Sequence, residues 1–150
     1  MVDLKGYNIP EFVFTHVVQV RFRDSDSMGH VNNAVFLTYL EAARITYFEK
    51  SFEMKRPEDI SVILAHAEID FLRPIVSPPI KSVEVQIFVS KVGNTSWWLE
   101  YHISNPDNPQ DIYATAKTVQ VVYDYKKRQK MPIPDWMRGI LNAQVKQATQ

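Results

Sequence analysis

The 150-residue chain contains no cysteine. Disulfides, thiolate metal sites and a cysteine nucleophile are excluded together, while the redox compartment stays open. Charge of one sign is also missing: Lys plus Arg and Asp plus Glu both total 17, which gives no reason to expect a nucleic-acid or membrane-surface binder. The four histidines (His16, His30, His66, His102) are far apart and form no HExxH-like pair, so no metal site is expected. Met1 to Pro10 lacks the long apolar run of a signal peptide or anchor, and a cytoplasmic location is the default. What is present is ordinary globular material, 45% hydrophobic and 23% charged, at a length that suits one domain over residues 1–150.

Phe12 to Arg23 reads as a strand, with Phe12, Phe14, Val18, Val20 and Phe22 on one face. His16 interrupts that face and reads as a packed residue rather than a ligand. Asp24 to Asn33 supplies turn and cap residues. Ala34 to Phe52 then has neither Pro nor Gly. Its apolar residues surround most of the helical wheel, which predicts a largely buried helix capped by Asn32 or Asn33. Arg56 to Asp59 turns the chain.

Four strands are expected beyond it, in meander order. The first carries Ile63 to Phe71 and the second Val83 to Val89. Gly93-Asn94 marks a hairpin into Trp97 to Ile103, and a loop from Asn105 to Pro109 leads to a last strand over about Ile112 to Tyr125. Pro134 opens a short helix with Trp136, Met137, Ile140 and Leu141 on one side, and residues 144–150 read as a fraying tail. The fold class is therefore α+β, an antiparallel sheet wrapped around one long helix. Its edge strands and uncovered face invite a second subunit, so a homodimer or homotetramer is expected.

The chemically informative stretch runs from Arg21 to Asn33 and on to Arg44. Asp26 precedes a turn, Gly29 allows close backbone approach, and a helix begins at once, its free N–H groups and positive dipole end beside the carboxylate. Thioester hydrolysis needs a group to attack or activate water and donors for the developing oxyanion. A turn followed by a helix start offers both within a few residues.

This segment resembles the active-site signature of hotdog-fold thioesterases, the 4-hydroxybenzoyl-CoA thioesterase-like group. The residues in common are Asp24, Asp26, Gly29, His30, Val31, Asn32, Asn33, Phe36 and the run Glu41 to Arg44. The strand order is similar too, so the resemblance covers nearly the whole chain. It implies an acyl-CoA thioesterase that uses no cofactor. Asp26 would be general base or nucleophile, the Asn33 backbone N–H the oxyanion donor, and His30 a neighbour that orients Asp26 or the substrate. Gly29 and Phe36 would line the substrate site. The segment also resembles plant acyl-ACP thioesterases, but these carry asparagine at the position of Met28, which favours CoA over a carrier-protein thioester.

Each residue has a plainer reading. Asp24 is expected to be structural, paired with Arg21 or Arg23. Asn32 and Asn33 suit capping, and Glu41 suits an ion pair with Arg44 one turn on. Lys127 and Arg128, in the basic run Lys126 to Lys130, suit either CoA phosphates or a solvated loop. Thr95 and Ser96, with Trp97 and Trp98, suit a pantetheine or acyl channel or the β core. Two rival functions remain: a hotdog enoyl-CoA hydratase or dehydratase using Asp26 and His30, and a non-catalytic acyl-thioester binder.

Overall fold

The computed structural model describes residues 14–54 and 61–149, with side chains to residue 145. Phe12 and the turn at Arg56 to Asp59 lie outside the described residues. The elements are β1 (Phe14–Gln19), a 3-10 turn (Phe22–Asp24), α1 (Asn33–Phe52), β2 (Val62–Phe71), β3 (Ser82–Val92), β4 (Ser96–Asn105), β5 (Asn108–Asp124), β6 (Gln129–Lys130) and α2 (Asp135–Thr149). The sheet is antiparallel in the order β1-β3-β4-β5-β2, with β6 folding back onto the end of β5.

The α+β hotdog expectation holds, but the four strands after α1 are not a simple meander. Only β3, β4 and β5 are joined hairpin to hairpin. The preceding strand β2 pairs with β5 at the far edge, from Val62 opposite Val122 to Phe71 opposite Ala114. The expected loop at Asn105 to Pro109 is a two-residue turn, because Asn105 Oδ1 accepts from the Asp107 amide at 3.0 Å and closes it. β5 consequently starts at Asn108, earlier than Ile112.

α1 buries a stripe rather than its whole circumference. Phe36, Tyr39, Leu40, Ala43, Tyr47, Phe48 and Phe52 are buried, a three-and-four spacing that defines one face. Leu37 and Ile45 remain 46% and 41% exposed, since one sheet covers only one side of a helix. The stripe meets Val85, Ile87, Leu99, Tyr101 and Ile103 of the sheet in a single core. Trp97 is fully buried there, edge-on to Phe48 and Phe52 with ring centroids 6.2 Å away. Burial of each such ring contributes about 1.5–3 kcal/mol.

Glu41 is exposed rather than embedded among apolar side chains. Arg44 does not pair with it: Arg44 Nη1 donates to Tyr101 Oη at 3.3 Å, and Tyr101 Oη lies 2.6 Å from Thr118 Oγ1. Thr118 Oγ1 in turn donates to Gln120 Oε1. This chain of contacts satisfies the polar side chains that β5 turns toward α1. α2 is longer than expected. Gln144 is not a fraying residue but is buried, accepting from Tyr47 Oη at 2.5 Å and donating to Ser51 Oγ at 3.2 Å. Trp136, expected on the apolar side of α2, is 54% exposed.

Candidate active site

The loop between the 3-10 turn and α1 is built as a small closed hairpin. Ser25 bridges Val31, the Asp26 amide donates to His30 O at 2.7 Å, and the Gly29 amide donates to Asp26 O at 3.1 Å. Gly29 sits at φ +78°, a conformation glycine adopts without the penalty that a Cβ brings. Its carbonyl accepts from the Ser77 amide at 3.0 Å, and the Val31 amide donates to Ile75 O at 2.9 Å. The loop is thus fastened to the segment between β2 and β3.

Asp26 uses one carboxylate oxygen to hold this geometry. Oδ1 accepts from the Met28 amide at 2.8 Å and the His30 amide at 3.1 Å, whereas Oδ2 has no partner among the described residues. The side chain is exposed to solvent. At the loop's other end Asn32 is the N-cap: its Oδ1 accepts from the Ala34 amide at 2.9 Å. The Val35 amide donates to Asn32 O. The Asn33 amide, first in α1, keeps no partner among the described residues and carries the positive end of the helix dipole.

Asp26, His30, Asn33 and Phe36 line one cleft of about 270 Å³, together with Phe71 and Arg73 from the end of β2. Phe36 is buried and meets Phe71 edge-on at 5.0 Å between ring centroids. Sequence reasoning missed the lining residues that come from the end of β2. Arg73-Pro74 marked only the end of a strand, and nothing local says that β2 finishes beside Asp26. Arg73 is itself anchored, by an ion pair to Asp111 and with its guanidinium 5.4 Å from the Tyr113 ring centroid.

Asp24 is structural, as expected, but its partners differ from the guanidiniums of Arg21 or Arg23. Its buried carboxylate accepts from the Arg21 backbone amide at 2.7 Å and from Tyr39 Oη at 2.8 Å. Burial, then this bond and the Asp24 charge, push the Tyr39 phenol well above its ordinary range, so it stays protonated and donating.

Thr95, Ser96, Lys127 and Arg128 are not brought to this cleft within one chain. Ser96 lies opposite Val121, and Lys130 opposite Tyr123, whereas the cleft adjoins the Phe71–Ala114 end of the sheet. The seven residue steps from Ala114 to Val121 separate the two ends by roughly 24 Å at about 3.4 Å per step. Trp97 belongs to the core. Lys127 and Arg128 form the tight β5–β6 turn, where Asp124 Oδ1 accepts from the Lys126 and Lys127 amides at 2.9 and 3.0 Å. Those bonds hold the Asp124 carboxyl below its usual range. Among the described residues no group of three or more His, Asp or Glu side chains converges as metal ligands do, and no helix is long and apolar enough to cross a membrane.

An antiparallel sheet on a long helix, with an acid-bearing turn at the helix start, is the arrangement of a hotdog domain. The profile of the Thioesterase-like superfamily matches residues 20–141, and the chain belongs to that superfamily. It is 31% identical over 110 residues to the uncharacterized protein YsmA of Bacillus subtilis, covering 73% of this chain and 74% of that one. It is 30% identical over 128 residues to 1,4-dihydroxy-2-naphthoyl-CoA hydrolase of Synechococcus elongatus, covering 79% and 90%. Among solved structures, a thioesterase of Thermus thermophilus complexed with coenzyme A and Zn superposes with a TM-score of 0.74 at 32% identity, covering 88% of this chain and 94% of that one.

Proposed function

We propose that this protein is an acyl-CoA thioesterase that cleaves an acyl-CoA to the free acid and CoA. The observation that carries the reading is the division of labour at Asp26. One oxygen is fixed by two backbone amides, the other has no partner among the described residues, and Asn33, whose amide is likewise unpartnered among them, lines the same cleft. A thioester carbonyl seated between them would have a donor for its developing negative charge and a carboxylate beside its carbon. Asp26 then takes a proton from attacking water, or attacks directly to give a mixed anhydride that water opens. In either route the C–S bond breaks: in the first, the proton taken up by Asp26 passes to the departing sulfur and CoA leaves as the thiol; in the second, CoA leaves as the thiolate and takes its proton from solvent. One oxyanion donor is worth about 10²–10³ in rate and a general base about 10²–10⁴. Specificity for CoA over a carrier protein is supported by the Thermus relative, whose structure holds coenzyme A.

The reading includes a homodimer formed along β2, whose outer edge has no strand partner among the described residues and whose Leu64 and Phe71 side chains are 48% and 46% exposed. Two β2 edges paired antiparallel would set the Val62 end of one copy beside the Phe71 end of the other. The Thr95–Ser96 hairpin and the Lys127–Arg128 turn of one subunit would then approach the partner's cleft, as CoA-binding groups supplied across the interface.

A panel of acyl-CoAs assayed for free thiol tests the proposal. CoA release that falls at least a hundredfold in Asp26→Asn is expected. Water addition to an enoyl-CoA without thiol release would replace hydrolysis with hydration. Tight retention without turnover would make the protein a binder.

A further inference from the structure

The loop that carries Asp26 leaves the body of the protein at Asp24 and returns at Asn32, and these two residues are bonded to each other: the Asn32 amide donates to Asp24 O at 2.9 Å. The Asp24 side chain makes two further ties. It accepts from the Arg21 amide, which closes the turn at the end of β1, and from Tyr39 Oη, which lies on α1 well inside the helix that Asn33 begins. One residue therefore joins the incoming chain, the returning chain and the helix body. Nothing else on the described part of α1 reaches the loop by a side-chain bond: Arg44 goes to Tyr101 and Tyr47 to Gln144. Asp24 and Tyr39 are both buried, whereas Asp26, Asn32 and Asn33 are exposed, so this clamp is the fixed point against which exposed groups are set.

We infer that Asp24 and Tyr39 are positioning residues, a buried clamp that holds the Asp26 carboxylate in register with the Asn33 amide. The inference rests on the thioesterase reading for its kinetic consequence but not for its structural one. Neither residue touches the cleft. Their effect on rate would pass through the separation of two groups whose alignment matters at the level of an ångström, where misplacement costs up to about a hundredfold. The bond is directional. Tyr39 is kept protonated by its surroundings, and Asp24 has one oxygen receiving two donors, so removal of the phenol hydroxyl releases the helix from the loop while leaving the ring in the core.

The test uses Tyr39→Phe and Asp24→Asn in the full chain, with Tyr47→Phe as the comparison. Tyr47→Phe deletes the same atom from another buried tyrosine of α1, whose partner Gln144 lies away from the loop. Tyr39→Phe and Asp24→Asn are expected to lower kcat about tenfold or more with KM within about twofold, whereas Tyr47→Phe lowers the Tm but leaves kcat within about twofold. Amide hydrogen exchange reads the clamp without any substrate. At His30 and Asn32 it should quicken at least about tenfold in Tyr39→Phe, with Val85 and Ile103 in the sheet unchanged. If the wild type hydrolyses no thioester, the thioesterase reading fails and the exchange result alone decides the clamp. Unchanged exchange at His30 and Asn32 overturns it, as does a kcat loss in Tyr47→Phe equal to that in Tyr39→Phe.

Discussion

The side chain of Asn32 accepts from the Ala34 amide at 2.9 Å, one residue past the amide of Asn33. The cap therefore satisfies the second N–H of the helix and leaves the first available. Replacement by alanine, Asn32→Ala, removes one cap bond from an exposed helix start and should cost about 1 kcal/mol. For a domain of this length that is a fall of roughly 2–4 °C in Tm. Thermal unfolding of the two proteins measures it, and an unchanged Tm would mean that water caps α1 equally well.

Gly29 should tolerate the volume of a methyl group but not its backbone consequence. No heavy atom lies within 4 Å of a Cβ built there, yet φ is +78°. Gly29→Ala should thus destabilise by about 1–2 kcal/mol through the loop alone, and lower thioester turnover because Asp26 and His30 are bonded across that turn. Urea midpoints and CoA release, read side by side, check this. Full activity in Gly29→Ala would show that the left-handed turn is not needed for catalysis.

His102 makes stability fall on acidification. The ring is buried on β4, edge-on to Phe88 at 5.7 Å, and desolvation lowers its pKa below the ordinary 6.5. Below about pH 6.5 the unfolded chain takes up a proton that the folded ring resists, so the unfolded state binds more protons and is favoured. The stabilisation is complete above the unfolded pKa and is lost as pH drops toward the lower folded value. Denaturant titrations between pH 7.5 and 5 should show a steeper loss for wild type than for His102→Gln. Parallel curves would remove His102 as the cause.

Pairing along β2 makes a prediction about assembly. A charge on an edge strand weakens its pairing with another edge, and β2 keeps an apolar stretch from Val62 to Ala65 ahead of its exposed Glu68 and Asp70. Leu64→Lys places such a charge at a side chain already 48% exposed, so it should lower the oligomeric order without unfolding the monomer. Analytical ultracentrifugation distinguishes the outcomes. A wild type that sediments as a monomer would rule out the interface, and a variant that stays dimeric would move it elsewhere.

Local structure was legible in the sequence; adjacency between distant segments was not. The helix over Ala34–Phe52 could be read because a cap, an uninterrupted run and strong apolar periodicity all agree within twenty residues. The strands were legible by alternation. What alternation cannot supply is which strand lies next to which, and β2 pairs with β5 across some fifty residues of chain rather than with the strand that follows it. That one placement brings Phe71 and Arg73 to Asp26, and no local signal announced it. Asp24 was assigned its role but the wrong partner, because Arg21 and Arg23 are near in sequence whereas Tyr39 becomes near only once α1 has packed. Glu41 was misjudged because apolar residues around most of the α1 wheel implied a largely buried helix, and a single sheet buries only one face.

Phe71 closes onto Phe36 at the cleft and at the same time belongs to the strand at the rim of the sheet. On the proposed reading, a substitution there edits two phenotypes with one codon: the shape offered to the acyl group, and the edge offered to a neighbour. If the cleft takes the acyl group and β2 pairs with a second copy, selection on substrate preference cannot act at that position without also testing how the molecule assembles. Divergence in the one trait should carry a record of compensation in the other, written elsewhere along the same strand.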